Sequence, residues 1–329
     1  MNTRFRNRRG FAMITALWLV VAITVVALQF SFEAHERYML GINAAERGVA
    51  RAAVIGALAL EQAQLERALR QTTRGSNAAR LRSSDPWIDV DSTYTGPVDI
   101  DSIAVWVDAK PGGRRLNVNT MNEEQLKAFF GNLLKDVSVS DEIAQSIMDW
   151  RDADDQARVR GGERDSYLKD NRMVLPANAP FREVDDLLDV KGMTSEILEK
   201  ARPYLRTYGN GTVNLNTADE PVLRAIPGMT DVILARILAM RANGGRIANI
   251  SQVIPGAGGQ QQQGGRGGQP PQLTAQQTLA QRVAQNSTVD TQDVELILTA
   301  SAGPQALPAR LSATITRNGT QTSITWRQW

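Results

Sequence analysis

The uncharged run Phe11–Phe32 constrains this chain more than any other part of its sequence. At a rise of ~1.5 Å per residue, a helix over this run is about 33 Å long, which is enough to cross a bilayer core of ~30 Å. The residues before it include no acid and several arginines, namely Arg4, Arg6, Arg8 and Arg9. Because positive charge stays on the cytoplasmic side, the pattern predicts one membrane-spanning helix with a cytoplasmic N-terminus and a translocated remainder.

An ordinary secretory signal does not account for this run. Such a signal has an apolar core of ~7–15 residues followed by a cleavage site of small residues. Here the apolar run is longer, and its end, Gln29–Phe32, is bulky. The small residue Gly10 lies before the run instead. Two interpretations remain: a plain signal anchor, and a leader that ends at the step from Gly10 to Phe11.

The composition excludes several classes of functional site. The chain has 329 residues, no cysteine and a single histidine, His35. Disulfides, thiolate metal sites, a Ser-His-Asp triad and a multi-histidine zinc site therefore lack the residues they need. The net charge of +2 argues against a dedicated nucleic-acid surface. The length predicts one membrane helix and about two soluble domains. Because residues for the common catalytic sites are missing, we expect no enzymatic activity.

The membrane helix is expected to continue beyond the bilayer. No proline occurs between the apolar run and Pro86, and helix-forming residues continue to Arg70. Small and apolar residues recur at a helical spacing, at Ala45, Val49, Ala52, Gly56, Leu60 and Ala63. The sequence therefore predicts one helix from about Phe11 to Arg70, whose outer half packs on a sheet through this stripe.

Alternating apolar patterns predict strands on both sides of a long insert. Ile100–Asp108 has the pattern of a strand, Pro111–Gly113 that of a turn, and Arg114–Val118 that of a returning hairpin partner. Near the C-terminus the predicted strands are Val294–Thr299, Ala309–Thr316 and Thr320–Arg327. The dipeptide Asn318-Gly319 between the last two predicts a type I′ hairpin turn.

The insert contains an internal repeat. Asn117–Glu123 is echoed by Asn214–Glu220, Ile143–Arg151 by Ile233–Arg241, and, loosely, Phe181–Leu188 by Ile247–Ile254. In the first pair of blocks, Thr120 and Thr217 are predicted to cap helices, and the glutamates three residues on, Glu123 and Glu220, to complete capping boxes. Two helical copies of one plan are therefore expected in the middle of the chain.

Each copy also carries a turn of the helix-hairpin-helix type. These turns are Val190–Thr194 and Ile226–Thr230. DNA-binding versions have a second glycine that lets backbone N–H groups approach a phosphate, whereas Thr194 and Thr230 take that place here as predicted N-caps. The weakly basic charge favours a structural turn, with DNA contact as the alternative.

A low-complexity segment, residues 256–272, separates the second copy from the last strands. Its glycines, glutamines and prolines cannot form a core, so it is expected to be a mobile surface loop. Whether Leu273–Val283 then forms a helix is left open by the sequence.

The first copy carries an acidic loop that the second copy lacks. In the alignment of the copies, Asp152 falls on Ala242 and Asp154 falls on Gly244. The helical plan therefore folds without these carboxylates, and support of the fold does not explain them.

Clustered carboxylates are the ligands of hard cations such as Ca²⁺. Asp152 and Asp154 can converge from one turn, and Glu163 and Asp165 can close the shell from the other end. The loop is not an EF-hand, because the glycine expected at loop position six is absent. A solvated, salt-bridged loop is the alternative, since arginines lie among the acids: Arg151, Arg158, Arg160 and Arg164. Acid–base catalysis would need a pocket and a raised pKa, which the sequence does not reveal.

Taken together, these features resemble the minor pseudopilin K family of type II secretion systems. The resemblance rests on the basic leader before Phe11, on the repeat, and on the motif Asp149–Asp154 followed by Glu163–Tyr167. Most pilins and pseudopilins carry glutamate at the fifth mature position, where this chain has Thr15. The K family is the one that lacks this glutamate.

The resemblance implies a processing site and a fold. Prepilin peptidase would cleave after Gly10 and N-methylate Phe11. The implied fold is α+β, with a pilin-like long N-terminal helix packed on an antiparallel sheet and interrupted by a large inserted all-α domain of helix-hairpin-helix or SAM-like repeats. It also implies that the acidic loop holds Ca²⁺, here through Asp152, Asp154, Glu163 and Asp165.

The expected domains follow the same plan. They are a basic leader (1–10), the transmembrane half of the helix (11–32), the helix and first strands of the pilin-like domain (33–118), and the inserted α-domain with its acidic loop (119–208). The last part (209–329) contains the second repeat, the low-complexity loop and the returning strands.

The implied function is non-enzymatic: a minor pseudopilin at the tip of the periplasmic pseudopilus that supports fibre assembly and protein export across the outer membrane. Its implied partners are minor pseudopilins I and J, minor pseudopilin H or the major pseudopilin below, prepilin peptidase and the inner membrane, without nucleic acid. The protein would cross the inner membrane once, with its C-terminal domain in the periplasm. The runner-up is a pilin-like competence protein that binds DNA through its hairpin turns, and a signal-anchored periplasmic hydrolase is third.

Overall fold

Helix α1 extends without interruption over Arg9–Arg74, which confirms the long helix expected from about Phe11 to Arg70. The computed structural model describes residues 9–74, 85–242, 244–254, 275–303 and 306–329. Residues 1–8 of the predicted leader and the low-complexity segment 256–272 lie outside these ranges. Among the described helices, α1 alone is long and apolar enough to cross a membrane, and its side chains are exposed throughout residues 13–32. These properties fit a single membrane-spanning segment.

The buried face of α1 is not the predicted one. Ala50, Ala53 and Val54 are buried, whereas Val49 is 52% exposed. Of the predicted stripe, Gly56 is half-buried and the other members are exposed, namely Ala45, Val49, Ala52, Leu60 and Ala63. The prediction was wrong because small and apolar residues recur at helical spacing on both faces of the helix, so periodicity alone cannot choose between them.

Shorter elements follow α1. The helices are α2 (Val90–Thr93), α3 (Glu123–Leu134), α4 (Val137–Arg151), α5 (Arg164–Lys169), α6 (Ser195–Ala201), α7 (Glu220–Arg224), α8 (Asp231–Ala242) and α9 (Ala275–Asn286). Short 3₁₀ turns cover Val184–Asp189, Arg202–Tyr204 and Ile250–Gln252. The strands are β1 (Gly96–Ile100), β2 (Ile103–Pro111), β3 (Leu116–Asn117), β4 (Leu205–Arg206), β5 (Val213–Asn214), β6 (Ser287–Thr288), β7 (Asp293–Ala300), β8 (Ala309–Asn318) and β9 (Gln321–Gln328). Helix α9 shows that Ala275–Asn286 is helical, which answers the question that the sequence left open for Leu273–Val283.

In the described part of the chain, the main sheet contains five strands in the order β1-β2-β7-β8-β9. Strands β7, β8 and β9 lie where the C-terminal strands were predicted. The single strand predicted over Ile100–Asp108 is wrong at its start, because a turn at Asp101 and Ser102 separates β1 from β2. Strand β1 was missed because Gly96-Pro97 has the composition of a turn. Strands β8 and β9 are antiparallel, and Asn318 pairs with Gln321 across the hairpin. Gly319, with a φ of 63°, is the first central residue, and Thr320 is not among the described non-glycine residues with positive φ. The turn is therefore type II′ and not the predicted type I′.

Strand β3 does not form the hairpin with β2 that was predicted for Arg114–Val118. It pairs in parallel with β4, with Leu116 opposite Leu205. Both edges of β2 are already occupied, by β1 and β7, so the chain that leaves β2 has no free edge to return to. The backbone N–H of Gly112 donates to Asp293 O at 2.7 Å, and the chain passes from there into the inserted segment.

The two copies of the internal repeat build the same hydrogen-bonded bracket. In the first copy, the amide of Asn119 donates to the carbonyls of Phe181 and Thr207, both at 2.9 Å, and accepts from Phe181 N at 2.8 Å. In the second copy, Asn216 makes the same three kinds of bond, with Ile247 in the place of Phe181. Strand β5 also pairs in parallel with β6, as β3 does with β4. The inserted segment is therefore not all-α, as the resemblance implied: it combines helices with short parallel strand pairs.

The helix starts in the two copies differ from the predicted capping boxes. Helix α3 begins after Asn122, whose side chain accepts from Gln125 N at 2.8 Å while Gln125 Oε1 accepts from Asn122 N at 2.9 Å. Thr120 instead donates to a carbonyl of the preceding turn at 3.1 Å, and Asp219, not Thr217, precedes α7. The prediction was wrong because the asparagine-containing turn comes first and delays each helix by two residues.

The chain forms two compact units. One comprises residues 1–57, 97–106 and 298–310, and the other comprises residues 58–96, 107–297 and 311–329. The acidic loop and both repeats belong to the second unit. The core of the repeats is built around large apolar side chains that include Leu126, Phe129, Phe130, Ile143, Ile147 and Tyr167.

Candidate functional site

The acidic loop begins at the end of α4, where two consecutive side chains fix its position. Trp150 is buried and stacks on Phe181, with ring centroids 5.9 Å apart and an interplanar angle of 8°. The guanidinium of Arg151 donates to the backbone carbonyls of Val118 and Met121. Because Phe181 follows the loop in the sequence, both ends of the loop are anchored to the same part of the core.

Asp149 is the central side chain of the loop and is fully buried. Its Oδ2 accepts from the backbone N–H groups of Arg158 at 3.1 Å and Gly162 at 2.9 Å. Its Oδ1 accepts from the guanidinium of Arg158. These three donors offset the cost of burying the carboxylate, and they hold the loop folded back over the end of α4.

Close packing explains why the loop has glycine at two positions, Gly161 and Gly162. A Cβ on Gly161 would overlap Asp149 Oδ2 and would lie 3.2 Å from Gln145 O. A Cβ on Gly162 would lie 3.0 Å from Lys191 Cδ. The pair is therefore explained by the approach of the backbone to neighbouring side chains, independently of any ligand.

Glu163 lies at the start of α5 and is only 5% exposed. Neither of its carboxylate oxygens has a hydrogen-bond partner among the described residues. Burial raises the pKa of Glu163 to about 7, with further contributions from the negative charges of Asp149, Asp152, Asp155 and Asp154. A buried carboxylate without a donor is unfavourable by ~1–3 kcal/mol or more. This position therefore favours an added positive charge.

The other predicted calcium ligands have different surroundings. Asp152 Oδ2 pairs with Arg158 Nη1 at 2.6 Å, and Asp152 Oδ1 is buried without a hydrogen-bond partner among the described residues. Asp154 is exposed, and its Oδ1 accepts from a backbone N–H two residues further on at 2.9 Å. Asp165 is exposed in the first turn of α5. Asp152 and Glu163 thus have buried oxygens without partners, whereas Asp154 and Asp165 are at the surface.

The described residues contain no group of three or more acidic, histidine or cysteine side chains already arranged to hold a metal ion. The chemistry of the loop's donors nevertheless suits a hard cation. Within the acidic loop, the buried side-chain oxygens without partners are Asp152 Oδ1 and both oxygens of Glu163, and all three are carboxylate oxygens. A cation would supply the charge that these oxygens lack. Asp152 and Glu163 are therefore the residues that would hold Ca²⁺.

Two residues that matter to the loop, Asp149 and Arg158, were missed as site residues by sequence reasoning. Asp149 aligns with Ala239 in the second copy, which is the same signal that singled out Asp152. Arg158 was recognised only as one arginine of a salt-bridged loop. Its contacts depend on the backward turn of the chain, which no local pattern reveals.

The helix-hairpin turns are capped and their cations are engaged within the protein. Thr194 Oγ1 and Thr230 Oγ1 each accept from the N–H three residues further on at 3.3 Å, which confirms both as N-caps. Lys191 Nζ donates to a carbonyl of the acidic loop at 3.2 Å. Arg224 pairs with two carboxylates at 2.8 Å each. These contacts favour the structural interpretation of the turns over DNA contact.

Comparison with known proteins identifies relatives of this arrangement. Two family models match the chain, at residues 114–210 and 213–281, and both are described as type II secretion system (T2SS), protein K. Together the matched residues make up half of the chain and include the acidic loop and both repeats.

Individual relatives agree with the family models. The chain is 25% identical over 248 residues to the type II secretion system protein K of Pseudomonas aeruginosa, covering 70% of this chain and 72% of that protein. It is 22% identical over 223 residues to the protein K of Klebsiella pneumoniae, covering 64% and 67%.

A solved structure shows the same fold. A chain in the GspK-GspI-GspJ complex from the type 2 secretion system of enterotoxigenic Escherichia coli matches with a TM-score of 0.58 and 16% identity, covering 90% of this chain and 98% of that one. At this identity the likeness shows the fold, a long N-terminal helix with an antiparallel sheet. With the two family models and the curated relatives, we conclude that the chain belongs to the type II secretion system protein K family and is a minor pseudopilin.

Proposed function

We propose that this chain is a structural, non-enzymatic subunit at the tip of the periplasmic pseudopilus and supports protein export across the outer membrane. The relative of known structure was solved as a GspK-GspI-GspJ complex. By analogy, this chain assembles with minor pseudopilins I and J, and minor pseudopilin H or the major pseudopilin lies below. Membership of the protein K family supports this assignment.

The observation that carries the proposal is an exposed, uncharged face on α1 beyond the membrane span. This outer face consists of Tyr38, Gly41, Ala45, Gly48, Val49 and Ala52. Tyr38 is 66% exposed and Val49 is 52% exposed, and a Cβ on Gly41 or Gly48 would meet nothing within 4 Å. Small residues let a second helix approach closely. We therefore assign this face to the apolar helix of a neighbouring pseudopilin.

Site-specific photocrosslinking tests this assignment. A photoreactive residue at Ala52 should form adducts with minor pseudopilin I or J when the three proteins are produced together in membranes. The matched control is Arg47, which is also exposed on α1 but is not part of the outer face. Adducts of equal yield at both positions, or none at Ala52, would contradict the proposal.

We propose that prepilin peptidase cleaves after Gly10 and N-methylates Phe11, and that the helix lies in the inner membrane with its N-terminus in the cytoplasm. The exposed apolar side chains of residues 13–32 and the arginines before them support this orientation. Mass spectrometry of the mature protein should find N-methylated Phe11 as its first residue. A mature N-terminus at Met1 would instead favour a plain signal anchor, and with it the periplasmic hydrolase.

Thr15 supports a position at the end of the fibre. A glutamate inside an apolar helix bundle costs several kcal/mol unless it is paired, for instance with the amino terminus of an adjacent subunit. A subunit with nothing above it does not need that pair. We expect Thr15→Glu to disturb assembly. Unchanged assembly, together with the subunit found along the whole fibre, would rule out the tip position.

We also propose that the acidic loop binds Ca²⁺ through Asp152 and Glu163, whereas the other two predicted ligands, Asp154 and Asp165, lie at the surface. The support is the burial of carboxylate oxygens that lack donors among the described residues. The bound ion would supply positive charge and order the loop. Melting with Ca²⁺ and with EGTA should differ for the wild type, and the difference should shrink in Asp152→Ala/Asp154→Ala. No difference in the wild type, or an equal one in the variant, would contradict the site.

DNA binding is the second candidate function, and the contacts of Lys191 and Arg224 within the protein disfavour it. Binding to phosphates would depend strongly on salt. Salt-dependent DNA binding that is lost in Lys191→Ala or Arg224→Ala would nevertheless establish it.

A further inference from the structure

We infer that Arg158 is a built-in competitor of the cation: it occupies one oxygen of the Asp152 carboxylate, Oδ2, and opposes binding of the ion to the same carboxylate. The inference rests on the proposed calcium site. It adds a residue that sets the affinity of that site and the stability of the loop without the ion.

The contacts of Arg158 place one guanidinium between several acids. Its Nη1 pairs with Asp149 Oδ1 and lies 2.6 Å from Asp152 Oδ2. Its Nε lies 3.9 Å from Glu123 Oε2. A single side chain thus bridges α3, the end of α4 and the first residue of the loop. Without a metal, this guanidinium is the positive charge that pairs with the carboxylates of Asp149 and Asp152.

One guanidinium does not satisfy all the buried carboxylate oxygens. Asp152 Oδ1 and both oxygens of Glu163 are buried without hydrogen-bond partners among the described residues. Arg158 is the only arginine or lysine in the described part of the chain that pairs with Asp149 or Asp152, and none pairs with Glu163. A divalent cation at Asp152 and Glu163 would therefore complete the charge balance. The guanidinium on Asp152 would repel that cation and occupy one of its ligand oxygens.

The guanidinium can leave Asp152 without unfolding the loop. The backbone N–H groups of Arg158 and Gly162 still hold Asp149 Oδ2, at 3.1 and 2.9 Å. The Arg158 side chain is 30% exposed, so it has access to solvent. Its release from Asp152 therefore requires a change of side-chain rotamer and no rearrangement of the backbone.

Calorimetric titration of the full-length protein in detergent with CaCl₂ tests the inference. Arg158→Gln should bind Ca²⁺ about tenfold more tightly than the wild type, because a like charge and a competing ligand are removed. Arg158→Lys keeps the charge but lacks the guanidinium's Nε, which faces Glu123, and is held in place less firmly beside the two aspartates, so an intermediate gain is expected. The matched control is Arg160→Gln, since Arg160 lies in the same loop but its guanidinium donates to Ser138 and not to an acid.

Melting in EGTA provides a readout that does not depend on the ion. Arg158→Gln should have a lower melting temperature than the wild type, because two carboxylates lose their counter-ion. Added Ca²⁺ should raise the melting temperature of this variant by more than it raises that of the wild type. If Arg158→Gln does not fold, Arg158→Lys carries the test.

Each of the other outcomes overturns the inference. Unchanged or weaker Ca²⁺ binding in Arg158→Gln, with binding by the wild type, would make Arg158 a support of the site, and the calcium site itself would stand. An equal gain in Arg160→Gln would show a general effect of charge. Absence of binding in both the wild type and Arg158→Gln would remove the calcium site as well, whereas crosslinking to I or J would still report on the tip function.

Discussion

The backbone of Gly161 lies so close to the side chain of Asp149 that a Cβ on this glycine would overlap the carboxylate. The contact exists because Asp149 accepts from the N–H of the next residue, Gly162, at 2.9 Å. A buried carboxylate at the end of α4 therefore dictates the residue type of a position twelve residues further along the chain.

We expect Gly161→Ala to destabilise the protein by about 2–3 kcal/mol, because the added methyl group must displace a buried, hydrogen-bonded carboxylate. The measurement is the melting temperature of the full-length chain in detergent. Gly131→Ala is the control, since a Cβ there meets nothing within 4 Å inside α3, and it should gain up to ~1 kcal/mol of helix stability. If Gly161→Ala melts like the wild type, the packing described for the loop is wrong.

Glu163 should make the stability without calcium depend on pH. Its pKa of about 7 lies above the ordinary value of 4.5, so between these values the folded state binds more protons than the unfolded state. Stability in EGTA should therefore fall as the pH rises from about 4.5 to 7. Glu163→Gln should flatten this dependence and melt above the wild type at alkaline pH. Asp165→Asn, at an exposed position of the same helix, should keep the dependence of the wild type.

The two faces of α1 can be distinguished by valine truncation. Val54→Ala should cost about 1–3 kcal/mol, because Val54 is fully buried and its removal leaves a cavity. Val49→Ala should change the free energy of unfolding by no more than ~0.5 kcal/mol, because Val49 is 52% exposed. Both values come from melting of the isolated subunit. A larger loss of stability in Val49→Ala than in Val54→Ala would show that the buried face of α1 is the one that periodicity predicted.

The asparagine brackets of the two repeats should matter equally. Asn119→Ala and Asn216→Ala each remove three hydrogen bonds to the backbone, and each should cost about 2–4 kcal/mol. Denaturant unfolding of the single and double variants measures this. A large loss of unfolding free energy in only one single variant would show that the asparagine hydrogen bonds do not stabilise the two copies equally.

The sequence predicted the elements whose signals are local. The long apolar helix, the C-terminal strands and the N-caps at Thr194 and Thr230 follow from composition, alternation and side-chain chemistry within a few residues. The partner of β3 did not follow, because it depends on which edges of β2 are free, and that is a property of the whole sheet. The buried face of α1 was mistaken for the same reason, since a helix with two apolar faces needs its neighbours to decide which one is covered.

In the acidic loop, too, local sequence signals were predictive, whereas contacts between distant residues were not. Alignment of the two copies singled out Asp152 and Asp154 as dispensable for the helical plan, and clustering of acids suggested a cation. The roles of Asp149 and Arg158 were not predictable, because they arise when residues separated by the loop meet at the end of α4. Asp149 already faces Ala239 in the compared blocks Ile143–Arg151 and Ile233–Arg241, so the comparison could have singled out this residue, although not its contacts.

The anchoring of the loop by Trp150 and Phe181 has a consequence for how this subunit can vary. The chain leaves the core beside Trp150 and returns to it at Phe181, where the rings stack, and the asparagine bracket fixes the return point. The second copy spans the equivalent interval with residues 242–246 alone. The interval can therefore differ in length and in its acidic residues between the two copies, while the blocks of sequence on either side of it remain matched.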